Sequence, residues 1–174
     1  MSGFSGGGAS GGASGGGRTL LIESDVAGVN VAEFTAFDPA EFAAYSFEFD
    51  NVSLAQNARQ LWMQCGLDAS YFTGSSDYRW SRLDASDQSD GRVYLTASMS
   101  GLGAFSGTLR TIGPHMPMWT PFEWKITAHN SDQTAIDHMN GVAFLRQNSA
   151  VNKVKFFANS GGFSIGKIRM YGEN

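Results

Sequence analysis

From Arg18 onward, apolar and polar residues alternate in short runs separated by Ser, Gly, Asp and Asn. Tyr45, Phe47 and Phe49 alternate with Ser46, Glu48 and Asp50, and Leu61, Met63 and Cys65 alternate with Trp62 and Gln64. Near the end of the chain, Ile165, Lys167, Arg169 and Tyr171 alternate with Gly166, Ile168 and Met170. A period of two places successive side chains on opposite faces, so each run reads as a strand. Thr19–Ile22, Val29–Phe34, Val93–Ala97, Phe105–Ile112, Phe122–Ala128, Gly141–Leu145 and Val154–Ala158 bring the total to about ten short strands. The best helical signal is Asp38-Pro39-Ala40-Glu41, with Asp38 as N-cap and Pro39 at the first helical position, and it predicts one or two turns before Tyr45. The expected fold is all-β, an antiparallel β-sandwich of jelly-roll type formed by residues 18–174.

Residues 1–17, MSGFSGGGASGGASGGG, follow a different rule. They hold 9 of the 22 glycines, and Phe4 is their only aromatic residue. Such a segment buries too little surface to offset the entropy of ordering it alone. Extended, it reaches roughly 55 Å, against about 20–25 Å for a free coil. Backbone without side chains packs closely along another protein surface. The expectation is an N-terminal arm that threads against neighbouring subunits through Phe4, Gly8, Gly12 and Gly17.

Composition then removes several classes. With 42% apolar and 13% aromatic residues, the chain can bury a core without covalent staples. Cys65 is the only cysteine, which excludes an intrachain disulfide and Cys-rich zinc modules. No apolar run approaches the roughly 18 residues of a membrane helix, and the N-terminus has neither a basic nor an apolar leader region. A soluble protein without membrane insertion or a signal peptide is expected. The net charge of −4 argues against nucleic acid as a partner. Charge is uneven, with 12 acidic and 4 basic residues through Asp90 and 4 acidic against 8 basic thereafter, a split that suits complementary packing between copies.

No catalytic constellation emerges, and a non-enzymatic protein without a cofactor is expected. His115, His129 and His138 belong to no metal-binding His pair. The loop HNSDQTAIDH places Asp132 and Asp137 between His129 and His138 and reads as a solvated connection. In DASDQSDG, Asp84, Asp87 and Asp90 recur every three residues rather than every two as in a calcium loop, so a surface turn is expected. Gly101, Gly103, Gly107 and the Gly161-Gly162 pair lack the helix start and the Lys or Ser of a phosphate loop. Aromatics offer another chemistry. Tyr71, Tyr78 and Trp80 cluster around SYFTGSSDYRW, and Trp119 and Trp124 follow the loop GPHMPMWTPFEW. On exposed loops they could stack on sugar rings, with Asp77, Arg79 and Asn130 as hydroxyl partners; core burial and subunit contacts compete with that reading.

The order of several phrases is familiar: YSFEFDNV (Tyr45–Val52), LWMQCGLD (Leu61–Asp68), SDYRWSR (Ser76–Arg82) and the closing VKFFANSGGFSIGKIRMYG (Val154–Gly172). From about Val29 to Gly172 the chain resembles small virion proteins of tailed bacteriophages that end in an Asn-Ser-Gly-aromatic turn and a Gly-x-Ile-x-hydrophobic-Tyr-Gly strand. The resemblance implies a β-sandwich built in many copies into a particle, as a tail-fibre, head-fibre or decoration component. It implies self-association, such as a trimer, contact with other virion proteins, and assembly into the virion in the host cytoplasm. Some proteins of this broad class look like carbohydrate-binding sandwiches, which gives the loop aromatics an alternative role toward a host surface glycan.

Overall fold

A computed structural model describes residues 17–174 apart from 39, 84 and 102, and of residues 85 and 86 it describes only the backbone. The expected arm positions Phe4, Gly8 and Gly12 lie outside the described residues, while Gly17 is exposed at their start. In chain order the strands are β1 (Arg18–Asp25), β2 (Val31–Phe34), β3 (Ala44–Leu54), β4 (Leu61–Leu67), β5 (Ser70–Tyr71), β6 (Tyr78–Arg82) and β7 (Ala85–Asp90). They continue as β8 (Val93–Tyr94), β9 (Phe105–Ile112), β10 (Thr120–His129), β11 (Ile136–Leu145), β12 (Lys153–Ala158) and β13 (Phe163–Glu173). Eight strands form one sheet in the order β1-β13-β3-β9-β10-β11-β6-β7; a second sheet runs β2-β12-β4-β5, with β8 also paired to β4. Neighbouring strands are antiparallel throughout.

The two sheets pack face to face, and alternation decides which side chains meet between them. In β12, Val154 and Phe156 are fully buried while Lys155 and Phe157 point to the outer face. Phe156 sets its ring 5.1 Å from both Phe47 and Phe49 of the larger sheet and 5.9 Å from Phe34 of β2. These edge-on contacts, favoured by ring quadrupoles, join the two layers at the centre of the core. The long central strands need local bends to cover one another. Asn51 adopts φ 51 and Gly166 φ 108 where the register of β3 and β13 slips. A Cβ on Gly166 would lie 2.5 Å from the Val52 Cα, so only glycine lets the two backbones approach this closely.

The short turn before β3 is as expected, and two other expectations change. Asp38, Ala40 and Glu41 lie in a single turn, within the one or two expected, closed by Glu41 and Phe42 N–H groups on the Asp38 carbonyl and by the Ala40 N–H on the Asp38 side chain. Phe42 and Tyr45 must both enter the core, which draws the chain directly into β3. DASDQSDG supplies strand β7 rather than a surface turn, pairing with β6 through its backbone. The stretch SDYRWSR, expected as part of an aromatic loop, contains strand β6, which with the two-residue β5 was not expected from the sequence.

Candidate functional site

The structure separates the five candidate aromatics. Tyr78 and Trp80 are inward residues of β6, and Trp124 is inward in β10, so burial removes all three from the surface. Each has a structural partner. The Tyr78 hydroxyl accepts from the Cys65 N–H at 2.7 Å, and burial drives its pKa well above the tyrosine range. Trp80 stacks on Tyr94 with centroids 5.0 Å apart, and the Trp124 indole donates to the Leu95 carbonyl at 2.9 Å. Tyr71 is half-buried on the outer face of the smaller sheet, where its hydroxyl donates to Glu33 and the Lys153 and Lys155 ammoniums lie 4.3 and 3.9 Å from its ring centre. Trp119 alone of the five is strongly exposed.

Their expected polar partners are also occupied. Asp77 accepts from the Gly74 N–H and the Gln147 amide, and Arg79 pairs with Asp87. Asn130 accepts from the Thr134 and Ala135 N–H groups at 2.9 and 3.2 Å, so the β10–β11 loop is closed by its own side chain. His138 bonds to Thr127 across that hairpin. Among the described residues no group of three His, Cys, Asp or Glu side chains could hold a metal ion.

Trp119 belongs to a different feature, an apolar concavity at one end of the sandwich. The loop Gly113–Trp119 is folded by bonds from Met116 N–H to the Gly113 carbonyl and from Met118 N–H to the Met116 carbonyl. It is tied to the body where the Gly113 N–H meets the Ala43 carbonyl and the Pro114 carbonyl accepts from Val151. Prolines 114 and 117 stiffen it further by fixing φ. The loop thereby holds Met116, Met118 and Trp119 outward, each about half exposed, around a hollow of about 530 Å3 that Phe42, Ile112 and Pro121 complete. The apolar surface continues onto the outer sheet face, because Pro121 pairs with Phe144, and Phe144 and Val142 are both exposed. Six large apolar side chains thus share one end and its adjoining face, far more than the scattered single residues expected of a solvated surface.

The point where the N-terminal segment joins the body is set by register. Arg18 pairs with Glu173, Glu173 with Ala44, and Ala44 with Ile112. At roughly 4.8 Å per strand, the root of the segment lies about 14 Å from Ile112 at the edge of the hollow. Arg110 at 2.7 Å and Arg18 at 3.8 Å hold Glu173 in place. Burial opposes ionisation of Glu173, yet the Ser46 hydroxyl and Arg110 prevail and keep its carboxyl below the usual range.

Sequence reasoning placed Trp119 in this loop but passed over Ile112, Met116 and Met118. The available signal was GPHMPMW itself, in which two methionines and a tryptophan sit between prolines that prevent a regular buried element. No protein-family model, curated protein or solved structure matches this chain.

Proposed function

We propose that this chain is a non-enzymatic structural component of a tailed-phage virion, of tail-fibre, head-fibre or decoration type, that assembles with copies of itself. The observation that carries the self-association reading is the exposed apolar end formed by Ile112, Met116, Met118 and Trp119. Met and Trp are the residues that interface centres favour, and a rigid loop presents them at little cost in ordering entropy. The arm expected from residues 1–17 fits the same reading, since Arg18 at the start of β1 lies three strand spacings from Ile112 at the edge of this surface.

The strand order supports the jelly-roll form of the sandwich. Strands β1 to β4 alternate between the two sheets, and β12 and β13 return between them, giving β1-β13-β3-β9 over β2-β12-β4-β5. That winding is what two interlocked Greek keys produce. The virion reading itself rests on the likeness of the closing phrases to small phage proteins. Immunogold labelling of purified particles with antibody to this chain tests it: regular label at one particle location is expected, and particles free of the chain would overturn it.

A further inference from the structure

Sulfur is unevenly placed in this chain. Six of the seven methionines lie among the described residues, and four of these, Met63, Met99, Met139 and Met170, are core residues at most 4% exposed. The Met139 sulfur also accepts the Ala97 N–H at 3.1 Å, and the Cys65 thiol is fully buried. Met116 and Met118 are the exception, 45% and 53% exposed. Among the described residues, the sulfur that meets solvent broadly is therefore confined to one loop, and that loop rims the apolar hollow at the end of the sandwich.

A thioether is soft and apolar, whereas the sulfoxide that oxidation makes of it is polar and accepts hydrogen bonds. The loop is poorly equipped to receive such an oxygen. The N–H groups of Gly113, Met116 and Met118 already donate to the Ala43, Gly113 and Met116 carbonyls, and Pro114 and Pro117 have no N–H. Five of the seven residues from Gly113 to Trp119 thus lack a free backbone donor. In a chain that stands alone, water bonds the sulfoxide. Pressed against the same apolar end of a second copy, among Ile112, Trp119 and Pro121, the oxygen is desolvated without a donor, and affinity falls.

We propose that Met116 and Met118 form a peroxide-sensitive switch on self-association: their thioethers, open to oxidant in the free chain, become sulfoxides that stop the apolar end from joining a second copy. The inference rests on the self-association reading and adds its regulation. At each residue the sulfur lone pair attacks one oxygen of hydrogen peroxide, an S–O bond forms and the O–O bond breaks. The departing hydroxide takes the proton of the transferred oxygen and leaves as water, so sulfur loses two electrons and the peroxide gains them. Association itself covers the loop, so the oxidant acts on copies not yet assembled. The four core methionines stay out of reach, and the fold survives a modification that disables the surface.

Mild treatment of the full chain with hydrogen peroxide, read by peptide mass mapping and sedimentation equilibrium, is the test. Sulfoxide is expected at Met116 and Met118 about tenfold or more faster than at Met63, Met99, Met139 and Met170. The dissociation constant of the oxidised chain should rise about tenfold or more, with its β-sheet circular dichroism unchanged, and methionine sulfoxide reductases should restore association. Met116→Leu combined with Met118→Leu keeps the apolar volume without the sulfur, so this variant should associate like the wild type and ignore peroxide. Equal oxidation of core and loop methionines, association that persists with sulfoxide at both loop positions, or peroxide still dissociating the leucine variant overturns the switch alone. A wild-type chain that is monomeric before any peroxide is added overturns the self-association reading and the switch together.

Discussion

Phe156 is the side chain on which the packing of the two sheets most depends, and truncating it gives a measurable test of that packing. Phe156→Ala removes a fully buried ring that meets Phe47 and Phe49 at 5.1 Å and Phe34 at 5.9 Å. Loss of buried apolar surface and the cavity left behind cost about 3–5 kcal/mol for such a change, with the lost ring edges placing it toward the upper end. Against a typical domain margin of about 5–15 kcal/mol, the variant should still fold, but with its melting temperature lowered by roughly 6–20 °C. The next residue is the control. Phe157 points to the outer face, half-buried against the edge of Trp62 at 5.7 Å, and Phe157→Ala should cost only about 1–2 kcal/mol. Urea unfolding followed by tryptophan fluorescence measures both. Equal losses at the two positions, or a loss below about 1 kcal/mol at Phe156, would refute the assignment of faces in β12 and with it the account of the core.

Other regions make separate predictions. Gly141→Ala would put a Cβ 2.2 Å from the Trp124 ring, which its bond to Leu95 prevents from moving aside; a loss of about 1–3 kcal/mol is expected in urea unfolding. Hydrogen bonds from Lys167 and then Arg169 hold the Glu23 carboxyl below its ordinary value, so its contribution to stability is present at neutral pH and is lost as pH falls through that lowered value. Glu23→Gln should therefore flatten the fall in melting temperature on the acid side, and an unchanged acid profile would contradict the pairing. Cys65 is fully buried and desolvation pushes its thiol pKa up, so a thiol reagent at neutral pH should label it only after unfolding.

What the sequence made legible follows from where the chain records its own environment. Phe105–Ile112 was bounded correctly because its inward residues Phe105, Leu109 and Thr111 alternate with outward Ser106, Thr108 and Arg110. β7 escaped notice for the opposite reason: ASDQSD is polar at every position but its first, and it joins the edge of the sheet through backbone bonds that leave no hydrophobic pattern. Tyr78 and Trp80 were assigned to a loop because Gly74, Ser75, Ser76 and Asp77 surround them with turn residues, although the alternation of Tyr, Arg, Trp, Ser and Arg was already that of a strand. The row of polar side chains across the outer face of the larger sheet was not legible at all. Ser46, Arg110 and Glu123 become neighbours only through the register of β3, β9 and β10, and nothing local in any of the three strands records that pairing. The apolar end was half legible, since the prolines marked the loop but not the way it is tied to Ala43 and Val151.

Self-association through the apolar end is the central claim, and sedimentation equilibrium of the full chain over a wide concentration range tests it most directly. The account predicts a mass that rises above the 18.7 kDa of one chain toward a small integral multiple, and a return to 18.7 kDa when Met116→Ser and Trp119→Ser are combined. A wild-type mass fixed at 18.7 kDa at every concentration, or association unaltered in the double variant, would contradict it.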